Sequence, residues 1–233
     1  QDFEIVPNDV NLGDVVVSAT RNATKRRLAP TLVNVLDAKI FDRTQSSFLS
    51  QALKYQPGVR VEDNCQNCGF SQVRINGLDG PYSQILVDSR PVYSALAGVY
   101  GLEQIPTNMI ERIEVMRGGG SALFGSSAIA GVINVITKDP TSSSASFSHE
   151  IRGIGGLNTF ENTTNLNATY VTENNKLGIT IFGQLHHRSP YDYTGDGYSE
   201  LPKLDGSNVG MRAFFRVSDY SKLTAESVSY THL

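Results

Sequence analysis

The sequence has no long run of apolar residues. A membrane-spanning helix needs about 20 of them in succession, and the best apolar stretch, residues 128–136, is short and contains Gly131 and Asn134. A helical membrane protein is therefore excluded. A transmembrane β-barrel is not excluded, because its strands alternate apolar and polar residues and give only a weak hydropathy signal.

Basic residues are not concentrated in any part of the chain. The 20 Lys and Arg residues are scattered over 233 positions and the net charge is −3. The chain thus lacks the basic stripe of a nucleic-acid-binding protein, and we expect no nucleic-acid partner. The stretch after Gln1 has neither the basic nor the apolar region of a signal peptide, which leaves a cytosolic protein and a processed exported protein as alternatives.

Cysteine is almost absent. Cys65 and Cys68 form one C-x-x-C pair, and no second pair follows. A structural zinc site needs four ligands, so this pair alone disfavours zinc. In an oxidising compartment the two cysteines would instead close a small loop. The Gly and Asn residues around them indicate an exposed turn rather than the strand-to-helix junction of a redox site.

Glycine is concentrated in "MRGGGSALFGSSAIAGVINVITK", residues 116–138. Two phosphate-binding patterns almost fit this stretch. The P-loop requires Lys where Ser126 stands, and the dinucleotide fingerprint requires Gly where Leu123 stands. We therefore do not expect a nucleotide site, and we interpret the glycines as a tight turn between the strands "RIEVM" and "GVINVIT".

The first half of the chain has mixed periodicity. "TLVNVL" alternates as a strand, and Ser46 or Ser47 is placed to cap a helix. That helix would carry Phe48, Leu49, Ala52 and Leu53 on one face and end before Pro57 and Gly58. Short β-branched runs separated by Gly, Pro, Asn and Asp follow to residue 138 and predict further strands. A small α+β domain fits this half.

The second half has a period of two. In "KLGITIFGQLHHRS" one face carries Leu177, Ile179, Ile181 and Leu185, and the other carries Thr180, Phe182, Gln184 and His186. Tight connections such as "TENNK" alternate with the long "YDYTGDGYSELPKLDG". Short turns at one rim and long loops at the other are typical of an outer-membrane barrel. A soluble antiparallel sheet is the alternative on periodicity alone.

Several motifs in fixed order resemble the plug domain of TonB-dependent outer-membrane receptors. They are "PGV", "VRING", "ILVDSRPV", "IERIEVMRG" and "SALFGSSAIAGVINVITK". The resemblance implies an α+β plug domain followed by antiparallel strands of a transmembrane β-barrel that is incomplete in this chain. It divides the chain into a periplasmic segment (1–30), a plug (31–140) and about five of the family's roughly 22 barrel strands (141–233). Ser89 stands where the family often has Gly, so the turn there is uncertain.

The resemblance also assigns roles near the N-terminus and inside the barrel. "GDVVVSATR" resembles a TonB box, an extended segment that adds a strand to the sheet of a periplasmic partner. Its core consists of Asp14, Val15, Val16, Val17, Ser18 and Ala19. Arg74 and Arg117 lie where the family's plugs carry basic residues, and we expect them to form ion pairs with carboxylates of the barrel.

Ligands are expected at the outward loops of the plug. Phe70, Tyr82, Tyr93 and Tyr100 offer flat surfaces for a large ligand, and we expect Cys65 and Cys68 to form a loop-closing disulfide. No cofactor is predicted. The loop with Asp192, Asp196, Glu200 and Asp205 has enough carboxylates for calcium, although their spacing is not that of an EF-hand.

The resemblance implies a receptor for energised import of a bulky, scarce nutrient, and no enzyme. We favour cobalamin over haem or a ferric siderophore, each of which is a small-molecule metal chelate. Expected partners are TonB, outer-membrane lipid and, as a further candidate, a surface lipoprotein. The expected location is the bacterial outer membrane, with the signal peptide cleaved. A passive barrel or adhesin with a folded N-terminal domain is the alternative from another class.

Overall fold

The structure is a computed structural model that describes residues 15–65, 70–91, 102, 105–156, 159–218 and 221–232. We call described residues 15–139 the plug and residues 144–232 the wall. The plug has mixed α and β structure, and the wall is a single antiparallel sheet. This arrangement confirms the predicted fold class.

A five-stranded sheet forms the centre of the plug, in the order β3-β8-β9-β6-β7. β6 and β9 run parallel, and the other neighbours are antiparallel. Its strands are β3 (Val33–Asp37), β6 (Ser83–Val87), β7 (Arg90–Pro91), β8 (Ile110–Arg117) and β9 (Gly131–Thr137). β8 and β9 direct apolar side chains to both faces of the sheet, so other parts of the chain must cover both faces.

Two short hairpins accompany this sheet. β1 (Val15–Val16) pairs with β2 (Thr24–Lys25), and β4 (Val59–Cys65) pairs with β5 (Phe70–Ile75), both antiparallel. β5 contributes Val73 and Ile75 to the main core of the plug. The two hairpins therefore add to the cover of the central sheet.

Three short helices are described in the plug: α1 (Ala38–Thr44), α2 (Leu49–Leu53) and α3 (Ser121–Phe124). α2 buries the predicted apolar face, with Phe48 at its N-cap. No sequence pattern described above predicts α1. Asp37 caps this helix by accepting a hydrogen bond of 2.6 Å from the backbone N–H of Lys39. None of the described helices is long and apolar enough to cross a membrane.

The glycine-rich stretch is a connection between strands, as predicted. It leads from β8 through α3 into β9, which pairs with β8 in antiparallel register. Gly118 and Gly125 have φ of +98° and +96°, a region that residues with a side chain rarely adopt. These two positions explain the glycines without a phosphate ligand.

The wall consists of five long strands in sequence order. They are β10 (Ser144–Ile154), β11 (Thr159–Val171), β12 (Leu177–Arg188), β13 (Leu204–Ser218) and β14 (Ser221–His232). In the described part of the chain, β10 and β14 do not pair with each other, so the sheet is open. β12 and β13 are joined by the long loop, and β11 is joined to β12 by a tight turn, as the spacing predicts.

The two faces of the wall differ as the alternation predicts. On β12, Phe182, Gln184 and His186 are buried against the plug, whereas Ile181 and Leu185 are exposed on the outer face. Further exposed apolar side chains extend this outer face: Phe147, Ile151, Leu166, Tyr170, Val209, Met211, Phe215 and Leu223. A face of this composition is suited to contact with lipid acyl chains.

Two wall phenylalanines lie over glycines of the neighbouring strand. Phe182 is opposite Gly210, and Phe214 is opposite Gly178. A Cβ at Gly210 would lie 2.1 Å from Cζ of Phe182. Phe182 is also a member of the main core of the plug. The missing side chain of Gly210 therefore leaves room for the ring that joins wall and plug.

We expect Gly210→Val to destabilise the folded protein, because Phe182 must then leave the plug core. The predicted loss in the free energy of unfolding is about 1–3 kcal/mol, as for other overpacked sites. Ala213→Val is the matched control, because position 213 lies on the outer face of the same strand. Thermal unfolding of the purified protein in detergent, followed by near-UV circular dichroism, measures both. Equal unfolding temperatures for Gly210→Val and the wild type would contradict the expectation.

Candidate functional site

The N-terminal segment, residues 15–19, lies against one face of the plug sheet. Val16 and Ala19 are buried, whereas Val15 is 44% exposed. The two buried side chains belong to a second apolar cluster with six other buried residues: Val33, Leu86, Met116, Phe124, Ala128 and Val132. The segment thus covers the sheet face opposite the main core. Asp14 lies outside the described residues.

Glu114 holds the polar part of this segment. Its side chain is fully buried in β8, and its Oε2 accepts hydrogen bonds from the backbone N–H of Val17 (2.8 Å) and of Ser18 (2.9 Å). The hydroxyl of Ser18 donates a third hydrogen bond to the same oxygen, at 2.7 Å. The other oxygen, Oε1, lies 2.9 Å from Nη2 of Arg112. Both carboxylate oxygens are therefore paired, as a buried charge requires.

Asn134 extends this polar group across the sheet. It is opposite Glu114 in the β8–β9 pair and is fully buried. Its Nδ2 donates hydrogen bonds of 3.1 Å to the hydroxyls of Ser18 and Ser89, and its Oδ1 accepts one of 2.9 Å from the backbone N–H of Ser89. Ser89 has φ of +64°. Asn134 thus stabilises the tight β6–β7 turn that the sequence left uncertain.

Arg212 connects the wall to the plug. Its guanidinium contacts the carboxylate of Asp88 in the β6–β7 turn and lies 2.8 Å from Oδ1 of Asp139. On the neighbouring strand, Oε2 of Glu226 is 3.1 Å away. Lys222 adds a second cation, 2.9 Å from Oδ2 of Asp139. Three carboxylates therefore share two cations where the plug meets the wall.

The pKa of Asp139 reflects these contacts. Burial raises the pKa of its carboxyl group, but the hydrogen bond from Lys222 and the charges of Arg212 and Lys222 outweigh burial, so the net pKa lies below the ordinary value. A carboxylate with a depressed pKa stabilises the folded state at neutral pH.

A second group of plug–wall contacts lies nearer the long loop. The ring of Phe48 in the plug meets the buried His186 edge-on, with centroids 4.6 Å apart. Nε2 of His186 is 3.2 Å from Oε1 of the buried Glu161. Gln184 donates a hydrogen bond of 3.1 Å to the carbonyl of Ser47. Two side chains of β12, Gln184 and His186, thus contact residues at the start of α2.

Backbone carbonyls take part in two further cross-links between plug and wall. Nη2 of Arg152 in β10 donates a hydrogen bond of 2.7 Å to the carbonyl of Gln45. In the opposite direction, Nδ2 of Asn108 in the plug donates one of 3.1 Å to the carbonyl of Gly183 in β12. The plug is therefore held at several separate positions along the wall.

Arg74 and Arg117 have neighbours in the plug itself. Arg74 lies 2.8 Å from Oε2 of Glu62 and 3.3 Å from Oδ1 of Asp79. The side chain of Arg117 packs over Gly58, where a Cβ would lie 2.5 Å from its Nη1. Pairing of either residue with barrel carboxylates stays a prediction. Arg212, a cation that joins wall to plug, was missed because its partners in the plug are distant in sequence.

Most of the predicted ligand-facing residues lie outside what the structure describes. This applies to Tyr93, Tyr100 and Cys68 and to the side chains of Phe70 and Cys65, so the disulfide also stays a prediction. Tyr82 is described: it ends a short 3-10 turn and is 45% exposed. Its ring is therefore accessible to a ligand from outside the plug.

The acidic loop uses its carboxylates internally. Asp192 accepts hydrogen bonds from the backbone N–H groups of Gly195 and Gly197, which lower the pKa of its carboxyl group. Glu200 accepts one of 2.6 Å from the N–H of Tyr193, and Asp205 pairs with His187 and Lys203. Asp196 accepts a hydrogen bond of 2.9 Å from the backbone N–H of Tyr198. Among the described residues, no group of three or more His, Cys, Asp or Glu is placed to hold a metal ion.

Comparison with known proteins finds similarity in the N-terminal part of the chain. Residues 25–132 match the family model described as "TonB-dependent Receptor Plug Domain". The chain is also 37% identical, over 140 residues, to the vitamin B12 transporter BtuB of Vibrio vulnificus (strain CMCP6). That match covers 59% of this chain and 23% of the relative.

Solved structures share the fold across plug and wall. The siderophore receptor PirA of Acinetobacter baumannii superposes with a TM-score of 0.76 at 20% identity, over 88% of this chain and 32% of that one. A variant of the ferric enterobactin receptor PfeA from Pseudomonas aeruginosa gives 0.73 at 22% identity, over 92% and 34%. The chain therefore spans about a quarter to a third of the relatives it matches.

We expect Arg212→Gln to weaken the attachment of plug to wall, because it removes the cation shared by three carboxylates. Partial solvent exposure limits the predicted loss to about 1–3 kcal/mol in the free energy of unfolding. Arg216→Gln is the control. It also removes a cation from β13, but Arg216 is exposed and its guanidinium lies over the ring of Phe214. Thermal unfolding of both variants in detergent tests this prediction.

The pH dependence separates this charge effect from lost packing. The stabilisation from Asp139 is fully present above the unfolded pKa of Asp, about 3.9, and is lost as pH falls through the lower folded pKa. The stability difference between wild type and Arg212→Gln should stay constant above about pH 5 and narrow below about pH 4. A difference that is unchanged at pH 3 would contradict the ion-pair explanation.

Proposed function

We propose that the chain is the N-terminal part of an outer-membrane receptor of the TonB-dependent family that imports cobalamin, because residues 25–132 match the plug-domain model of that family. The plug occupies the inner face of the wall, and TonB binds the N-terminal segment from the periplasm. Energy for import comes from TonB, so the receptor needs neither a nucleotide site nor enzymatic activity. Its location is the outer membrane.

One observation carries this proposal: a short strand, Val15–Val16, precedes a plug that is joined to the wall by polar contacts. Val15 pairs with β2 and is partly exposed, and the cross-links at Arg212, Gln184 and Asn108 are hydrogen bonds and ion pairs. Partly hydrated polar contacts break and re-form more readily than an apolar core. A plug held in this way is suited to repeated rearrangement during import.

The choice of cobalamin rests on the vitamin B12 transporter at 37% identity. The siderophore receptors are more distant, at 20% and 22% identity, and support the fold alone. A ferric siderophore or haem is therefore the second candidate cargo. The exposed ring of Tyr82 offers one flat contact for any of these large ligands.

Three finer assignments belong to this proposal. Calcium near Asp192, Asp196, Glu200 and Asp205 stays a prediction, because these carboxylates are engaged in contacts within the loop and its flanks, and a surface lipoprotein would act as a further partner. Lipid contacts the outer face of the wall, where large apolar side chains are exposed. A passive barrel or adhesin, which has no use for a TonB-binding segment, is the alternative from another class.

Val15→Pro should abolish uptake of labelled cobalamin and leave its binding at the cell surface unchanged. Proline removes the backbone N–H and fixes φ, so the segment no longer offers a continuous strand edge to TonB. Val15 is chosen because its side chain is partly exposed, whereas Val16 is fully buried. Val15→Ala keeps the N–H and is the matched control.

The experiment uses cells that express the full-length receptor and measures surface-bound and internalised cobalamin. Haemin and a ferric siderophore are tested in parallel as competing cargoes. Normal energised uptake by Val15→Pro would favour the passive barrel. Tight binding of haemin without binding of cobalamin would contradict the assigned cargo and leave the receptor class intact.

A further inference from the structure

The backbone groups that a strand-adding partner needs are already occupied in the plug. A partner strand pairs with free N–H and C=O groups of the extended segment. The N–H groups of Val17 and Ser18 both donate to Oε2 of Glu114, at 2.8 and 2.9 Å. In this state, neither donor is available to a partner. Because successive N–H groups of a strand point to opposite sides, a partner strand would use one of these two donors, and TonB and Glu114 compete for that donor.

From this geometry we propose that Glu114 is a positioning residue that withholds the N-terminal segment from TonB until its hydrogen bonds break. The inference rests on the proposed function, because it takes residues 15–19 as the docking strand. To that function it adds one residue of the plug, Glu114, which controls whether the docking strand is available to TonB.

The carboxylate is well placed for this role because all three donors converge on a single oxygen. The third donor is the hydroxyl of Ser18, at 2.7 Å. Hydrogen bonds to an ionised acceptor are stronger than those to a neutral one, and Glu114 has no exposed surface. Water therefore cannot replace the three donors while the segment stays in place.

The site remains organised when the segment leaves. Arg112 binds the other oxygen through Nε (3.0 Å) and Nη2 (2.9 Å), and neither contact involves residues 15–19. Asn134 likewise keeps its two hydrogen bonds to Ser89. Water can reach the vacated carboxylate oxygen, and the apolar patch that the segment uncovers favours its return. Release is therefore reversible.

Glu114→Gln tests the proposal by removing the charge while preserving the shape of the side chain. Glu111→Gln is the matched control: Glu111 lies on the same strand and also pairs with Arg112, at 2.7 Å from Nη1, but is exposed to solvent. Ser18→Ala is a second test variant. It removes one of the three donors and leaves the pair of Glu114 and Arg112 intact.

Two measurements are made on the full-length receptor in detergent. Amide hydrogen exchange of residues 15–19 should accelerate at least about 10-fold in Glu114→Gln, less in Ser18→Ala, and not in Glu111→Gln. Affinity for the purified periplasmic domain of TonB should rise in the same order. Exchange in β12 serves as the internal reference for correct folding.

The outcomes separate this inference from the proposed function. Unchanged exchange of residues 15–19 in folded Glu114→Gln and Ser18→Ala, with TonB binding intact, would overturn the role of Glu114 alone. Faster exchange with no TonB binding to any variant or to the wild type would overturn the proposed function and the competition with it. Faster exchange together with tighter TonB binding supports both.

Discussion

The contact between plug and wall is made chiefly of hydrogen bonds and ion pairs, and the rest of the structure depends on it. Arg212, Gln184 and Asn108 each join an atom of one part to an atom of the other. Buried polar groups are costly unless they are paired, and this placement of the plug pairs them. Apolar packing across the contact is limited to a few wall side chains such as Phe182.

The sheet of the plug is completed by the chain's own N-terminal segment. Helices and neighbouring strands cover one face, and Val16 and Ala19 cover part of the other. The same residues carry the resemblance to a TonB box, so under the proposed function this stretch would combine a structural role with the binding of TonB. Between the two apolar anchors the segment is held by a single charged side chain, Glu114. Removing the segment therefore exposes a small apolar patch and one carboxylate oxygen.

Local patterns in the sequence predicted most of the secondary structure but few of the long-range contacts. The alternation in β12, the apolar face of α2 and the turn after β8 follow from periodicity and glycine. Helix α1 was missed because it is short and buries only Phe41, although Asp37 is a recognisable N-cap.

The polar contacts of the site follow from tertiary structure and not from local sequence. Two partners of Arg212 in the plug, Asp139 and Asp88, lie 73 and 124 residues away in sequence. No local motif therefore predicts them. Glu114 did carry a signal that was not used: a charged residue stands among the buried apolar residues of β8. Such a residue needs buried donors, and its position predicts that another part of the chain supplies them.

The plug lies against the inner face of the wall in the register described, and cross-linking can test this placement. A photoreactive benzophenone side chain at position 48 of the full-length protein, expressed in cells, tests it directly because Phe48 contacts His186. We expect an intramolecular cross-link from position 48 to the peptide that contains residues 177–188. The same photoreactive group placed at the exposed position 170 should form no cross-link to the plug. A cross-link from position 48 only to other parts of the plug would contradict the account.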